Sequence, residues 1–264
     1  MKRALLPFFL LAAVTGFAQP KVIEQAIITT RAIINIPEDA SNMNEGQGFM
    51  GMSNGDETKI TTWFKNDMMK ILNDGSMGKI TVIMDMKNKK TTTLMEMMGK
   101  KSGFYSTEDD EKEMKRRMDS MSKRKTETPT IDIEYLNDTK KISGYTCKKA
   151  LIKTTRSLGR TDSMYVWYNP EMKMSDNYVF RSGGMGMGGG GGATGMGGFN
   201  KLAGFPMQYE VKMRRGTSMT IEVTKIDTEK PIDIKEFDIP KGYEIQSVKD
   251  MQKNGGGFPF RMGG

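Results

Sequence analysis

Apolar and polar side chains alternate with a period of two along most of this chain, the pattern of strands with one dry face. The clearest run is Met207-Gln208-Tyr209-Glu210-Val211-Lys212-Met213-Arg214, apolar at odd positions and polar at even ones. A second run, Met219-Thr220-Ile221-Glu222-Val223-Thr224-Lys225-Ile226, follows Arg215-Gly216-Thr217, and the two predict a hairpin. Ile131-Asp132-Ile133-Glu134-Tyr135 alternates in the same way. Further strands are predicted over 22–36, 58–65, 67–73, 79–87, 91–98, 145–154 and 161–168. Asn66-Asp67, Asn73-Asp74-Gly75 and Lys87-Asn88-Lys89 supply turn residues between them. The expected fold is mainly β (α+β): an antiparallel curved sheet or half-open β-barrel.

One segment changes period. Glu108 to Arg124 opens with Glu108, Asp109, Asp110 and Glu111 and closes with Lys123 and Arg124, an order that suits the helix macrodipole. Glu111–Lys115 and Glu113–Arg117 are favourable i,i+4 pairs, and Met114, Met118 and Met121 form a narrow apolar stripe. A long amphipathic helix packed across the sheet is expected here. Asp109-Asp110-Glu111 reads as the charged start of that helix, because the alternating oxygens of a calcium loop are missing.

Three stretches lack any period: 38–56, 183–198 with eleven Gly, and the Gly-rich tail 251–264. Such composition buries too little apolar surface to offset its ordering entropy. The letters Gly186-x-Gly188-x-x-Gly191 match a dinucleotide fingerprint, but no βαβ unit surrounds them.

At the N-terminus, Lys2 and Arg3 precede an apolar stretch from Ala4 to Val14, and Gly16-Phe17-Ala18 places small residues at −3 and −1. This order predicts a signal peptide over 1–18, leaving one domain over 19–250. The stretch is shorter than the ~20 residues a spanning helix needs. Gln19, not Cys, stands directly after the cleavage point, so a soluble, exported, periplasmic protein without a lipid anchor is expected.

The 264 residues include no His, one Cys and 26 Met. Without His there is no Ser-His-Asp triad, no Cys-His pair and no imidazole acid or base. One Cys precludes an intrachain disulfide and a Cys-rich metal site. No catalytic residue and no cofactor is predicted. The net charge of +8, or +6 without Lys2 and Arg3, is scattered among acids, so a solvated surface and no nucleic-acid partner are expected. For Cys147, beside Tyr145 in a predicted strand, three readings stand: a buried inert thiol, a thiol activated by Lys148 and Lys149, or an intermolecular disulfide. Trp63 and Trp167 read as core anchors.

Met is the compositional anomaly, with 25 against six Leu after residue 18. Pairs at i,i+2, such as Met84/Met86 and Met95/Met97, share one face of a strand. Three readings compete: a flexible core filler, an adaptable pocket for lipid-like ligands, and soft thioether ligands for Cu(I). The pocket reading names Met84, Met86, Met95, Met97, Met114, Met118, Met121, Trp167, Met207 and Tyr209. The copper reading names Met185, Met187 and Met196.

Four stretches in order carry a family resemblance: Gly144-Tyr145-Thr146-Cys147-Lys148-Lys149-Ala150, Val166-Trp167-Tyr168, Gly204-Phe205-Pro206-Met207-Gln208-Tyr209 and Phe237-Asp238-Ile239-Pro240-Lys241-Gly242-Tyr243. Over about 22–245 the chain resembles DUF4412, an exported Bacteroidetes family close to the GLPGLI proteins. The GLPGLI box is matched only in part, as Ala203-Gly204-Phe205-Pro206-Met207. The C-terminal pattern is also similar to the LolA/LolB-like lipoprotein carriers, which implies an incomplete barrel holding acyl chains beneath helices. The resemblance implies no catalytic residues. The expectation is a monomeric, non-enzymatic binding protein for a hydrophobic ligand or an envelope partner. A Met-rich copper binder and a structural envelope protein are the alternatives.

Overall fold

The structure is a computed structural model and describes residues 21–37, 53–76, 78–121, 129–155, 159, 161–174, 196–213 and 216–253. The predicted signal peptide, Met185, Met187 and the tail from 254 lie outside the described residues, as do most of the two Gly-rich loops. The strands are β1 (Lys21–Ile23), β2 (Gln25–Asn35), β3 (Glu57–Lys65), β4 (Met68–Gly75), β5 (Gly78–Asp85), β6 (Lys90–Met97) and β7 (Lys100–Thr107). After helix α1 (Glu108–Met121) come β8 (Thr130–Ile142), β9 (Tyr145–Thr155), β10 (Thr161–Asn169), β11 (Met172–Met174), β12 (Phe205–Lys212), β13 (Ser218–Asp227), β14 (Glu244–Ser247) and helix α2 (Val248–Lys253).

Twelve strands form one sheet in the order β14-β7-β6-β5-β4-β3-β2-β13-β12-β10-β9-β8, which is not closed. The ladders are antiparallel except for β14, which runs parallel to β7. The sheet is thus mixed, not wholly antiparallel as expected. A second, two-stranded parallel sheet joins β1 to β11.

The ladders from β2 to β7 run without a register shift. All three shifts fall in the other half, at Val223/Lys225, Trp167/Tyr168 and Tyr135/Thr139. Bulges bend a strand and increase its twist, so this half curls. Ser143 Oγ, at the tip of the β8–β9 hairpin, reaches 2.7 Å from the carbonyl of Val223, three strands away. On a flat sheet that gap is about 14 Å.

Cross-strand neighbours define an inner face. Phe64, Met69 and Met84 stand in one row, and Ile71, Val82 and Phe104 belong to the next. Phe64, Val82 and Met207 are at most 1 % exposed, each such burial contributing about 1.5–3 kcal/mol. The opposite, outer face is also dry over β5 and β6. There Ile83 and Leu94 pack with Ile232 and Phe237 from the segment after β13. Lys65 Nζ donates to Ile232 O at 2.6 Å and Lys70 Nζ to Glu236 O at 3.0 Å, which fastens that segment to the sheet. Double coverage makes Thr81 through Met84 buried in succession, where alternation predicted one wet face.

Helix α1 begins at Glu108 as predicted. Thr107 caps it: Asp110 Oδ2 accepts from Thr107 N at 2.8 Å and from Thr107 Oγ1 at 2.7 Å. Arg117–Glu113 closes at 2.6 Å and Lys112–Glu108 at 3.1 Å. Its main contact with the sheet is with β7, the strand it follows, rather than across the sheet as expected. The predicted residues Lys123 and Arg124 lie outside the described residues.

Candidate functional site

The residues proposed from sequence as a ligand surface divide into three groups. Met84, Met95, Met207 and Tyr209 are buried, at 6 %, 7 %, 0 % and 7 % exposure. Met84 and Met207 share the largest core with Phe64 and Met69. Tyr209 sits in a neighbouring core, its ring 4.7 Å from that of Phe199 in edge contact. Burial pushes its phenol pKa far up, so it stays protonated. Met86, Met97 and Met114 are half-buried at the margin. The side chains of Met118 and Met121 lie outside the described residues, as does that of Met196, which starts a 3-10 turn over Met196–Lys201.

The structure gathers some of these residues at one place. Met95 from β6 and Phe104 from β7 pack with Val248 of α2, and Ile80, Met114 of α1 and Met251 of α2 close around them. Here one residue of α1 and two of α2 lie against the inner face. The start of α1 is tied down on two sides. Lys89 Nζ lies 2.8 Å from Glu108 Oε2, and Lys249 Nζ lies 3.0 Å from Asp110 Oδ1. Burial would raise the Asp110 carboxyl, but hydrogen bonds from Thr107 and the Lys249 ammonium outweigh it and hold the pKa below its ordinary value. Met251 falls within the predicted tail 251–264, although Val248 and Met251, three apart, carry a helical apolar spacing. Ile80 and Phe104 were missed because nothing local marks which strands end beneath a helix.

Trp167 is half-buried against the largest core. Lys140 Nζ lies 4.4 Å and Lys149 Nζ 5.5 Å from its ring centre, and Lys140 also donates to Gln208. This arrangement fixes the end of the β8–β9 hairpin through cation–π contact. Cys147 is fully buried and unpaired. Burial pushes its thiol pKa up, against a hydrogen bond with the Ile142 backbone and the charge of Lys140. The activated thiol weighed in the sequence is therefore not what this environment makes. The charge that favours its thiolate comes from Lys140.

The remaining motif residues hold the frame. Ser143 and Gly144 take positive φ of 49° and 85° and close the β8–β9 turn. Gly204 lies so close to β10 that a Cβ would stand 2.3 Å from the carbonyl oxygen of Asn169. Pro206 pairs with Tyr168, Phe237 is buried on the outer face and Pro240 is exposed. Among the described residues, no group of three or more His, Cys, Asp and Glu could hold a metal ion, and no helix is long and apolar enough to cross a membrane.

The family described as "Domain of unknown function (DUF4412)" matches residues 46–243, and the chain belongs to it. No curated protein matches the chain. Among solved structures, PNGF-II is similar over 88 % of this chain at 13 % identity and a TM-score of 0.37, and the chain spans 33 % of its length. The LolA superfamily protein NE2245 from Nitrosomonas europaea is similar over 83 % of this chain and 92 % of its own, at 7 % identity and a TM-score of 0.30. A putative outer membrane lipoprotein-sorting protein domain from Vibrio parahaemolyticus is similar over 81 % of this chain and 89 % of its own, at 8 % identity and a TM-score of 0.28.

Proposed function

We propose that this DUF4412 protein is an exported, non-enzymatic binding protein that takes an acyl or similarly hydrophobic ligand at the seam between β5–β7 and the two helices. The observation that carries the reading is the cluster of Met95, Met114 and Met251 around Phe104, Val248 and Ile80. Thioether side chains are flexible and repack around varied apolar shapes. Half-buried Met97 lies beyond Met95 on the same face of β6. Met84, Met207 and Tyr209 are already packed in two other cores and are left out of this seam. A ligand enters by displacing α1 and α2, because the strands beneath are each held by two ladders while α2 is only six residues long. The order of basic, apolar and small residues over 1–18 supports export to the periplasm.

The test combines lipid mass spectrometry on protein extracted in native form with titration of a fluorescent fatty-acid probe. Co-purifying lipid and saturable probe binding are expected. Met114→Asp and Met251→Asp should weaken probe binding, while Met98→Asn, at a fully exposed turn position, should not. Absence of both lipid and saturable binding would overturn the reading.

A further inference from the structure

Strand β8 ends the twelve-stranded sheet, and among the described residues no strand pairs with its outer edge. It is 13 residues long. Exposed edges of this length recruit other strands unless proline, inward charge or a covering segment blunts them. No proline interrupts Thr130–Ile142, and Thr130, Ile131, Ile133 and Tyr135 favour extended pairing.

The charges on this edge are divided. Asp132 and Glu134 lie before the register shift at Tyr135/Thr139, and Lys140 and Lys141 lie after it. Glu134 is engaged by Lys153 at 2.8 Å, and Lys140 by Gln208. Asp132 stands opposite Lys153 on β9, whose ammonium pairs with Glu134, and among the described residues neither Asp132 nor Lys141 makes a direct ion pair within the chain. A strand acidic in its first arm and basic in its second complements itself when paired antiparallel.

We propose that two copies of this chain pair through antiparallel β8 strands, with Asp132 of each copy opposite Lys141 of the other. In that register the two-fold axis passes between Leu136 and Asn137. The irregular residues then fall at the axis, and the regular arms 130–135 and 139–142 face each other. The occupant is a second copy because the same strand supplies both halves of the charge pattern, and symmetry repeats the Asp–Lys contact.

Sedimentation velocity on the mature chain, across micromolar concentrations at low salt, tests this. A monomer–dimer equilibrium is expected, weakened by added salt. Asp132→Lys and Lys141→Asp should each weaken it by roughly tenfold, because each places like charges opposite one another twice. The double variant Asp132→Lys/Lys141→Asp should restore it. A chain that stays monomeric throughout overturns the proposal. So does a dimer that neither single variant weakens, or one that the double variant fails to restore. Unchanged circular dichroism in each variant separates lost pairing from lost folding.

Discussion

Lys249 Nζ lies 3.0 Å from Oδ1 of Asp110, a contact that ties α2 to the first turn of α1. Asp110 is 7 % exposed, and its other carboxylate oxygen accepts from the backbone and side chain of Thr107. One side chain thus closes the cap of α1 and joins the two helices that border the methionine cluster.

Replacing Asp110 by alanine removes both roles. Loss of its half of the Thr107–Asp110 capping box costs about 0.5–2 kcal/mol. Lys249 is half exposed, so loss of the ion pair adds little. A fall of a few degrees in Tm is expected by calorimetry. If the seam binds ligand, the same variant should release the fatty-acid probe faster. An unchanged Tm would show that α1 is held by other contacts.

The same group sets a pH dependence. The Asp110 pKa lies below its ordinary value of 3.8 in the folded chain. A depressed carboxylate contributes stability that is present above the unfolded pKa and lost as pH falls through the folded one. Its contribution is therefore intact at neutral pH and is lost progressively as pH falls below about 4 toward the folded pKa. Urea midpoints measured from pH 7 to pH 3 should converge for the native chain and Asp110→Asn at the acid end. A gap that does not narrow between pH 7 and pH 3 would show that the charge is not its source.

Cys147 should be silent toward Ellman's reagent in the folded chain and reactive once denatured, since its thiol is fully buried and its pKa raised. Cys147→Ser buries a hydroxyl in an apolar core and should cost about 1–3 kcal/mol. Rapid labelling of native protein would show that the hairpin tip opens.

Gly204→Ala should destabilise by at least about 2 kcal/mol. Its Cβ would stand 2.3 Å from a backbone oxygen of β10, which cannot move without breaking the β10–β12 ladder. Chemical denaturation reads this as a lower midpoint. A neutral substitution would mean that Gly204 and β10 can move apart without loss of the ladder.

The strands were legible wherever one face is dry. The runs at 207–214 and 219–226 became β12 and β13 within two residues at each end. Strand β7 was not predicted. Its inner face carries Ser102, Phe104 and Ser106, so apolar alternation is lost, and Gly103 stands where a Cβ would meet Leu94 and the Thr93 carbonyl at 2.9 Å. The parallel addition of β14 was equally hidden, because nothing local specifies a partner about 140 residues away.

The candidate site divides along the same line. Residue type selects Met84, Met95, Met114 and Met207 alike, and only packing separates them, Met95 with Met114 in one cluster and Met84 with Met207 in another. Sequence alone determined the β class, the position at which α1 starts and the family, because period, capping residues and short motifs are written within a few consecutive positions. Only the tertiary structure decided which methionines meet, which faces are covered twice and which edge is left open. Those depend on where distant strands pair, and cross-strand pairing leaves no mark on either strand alone.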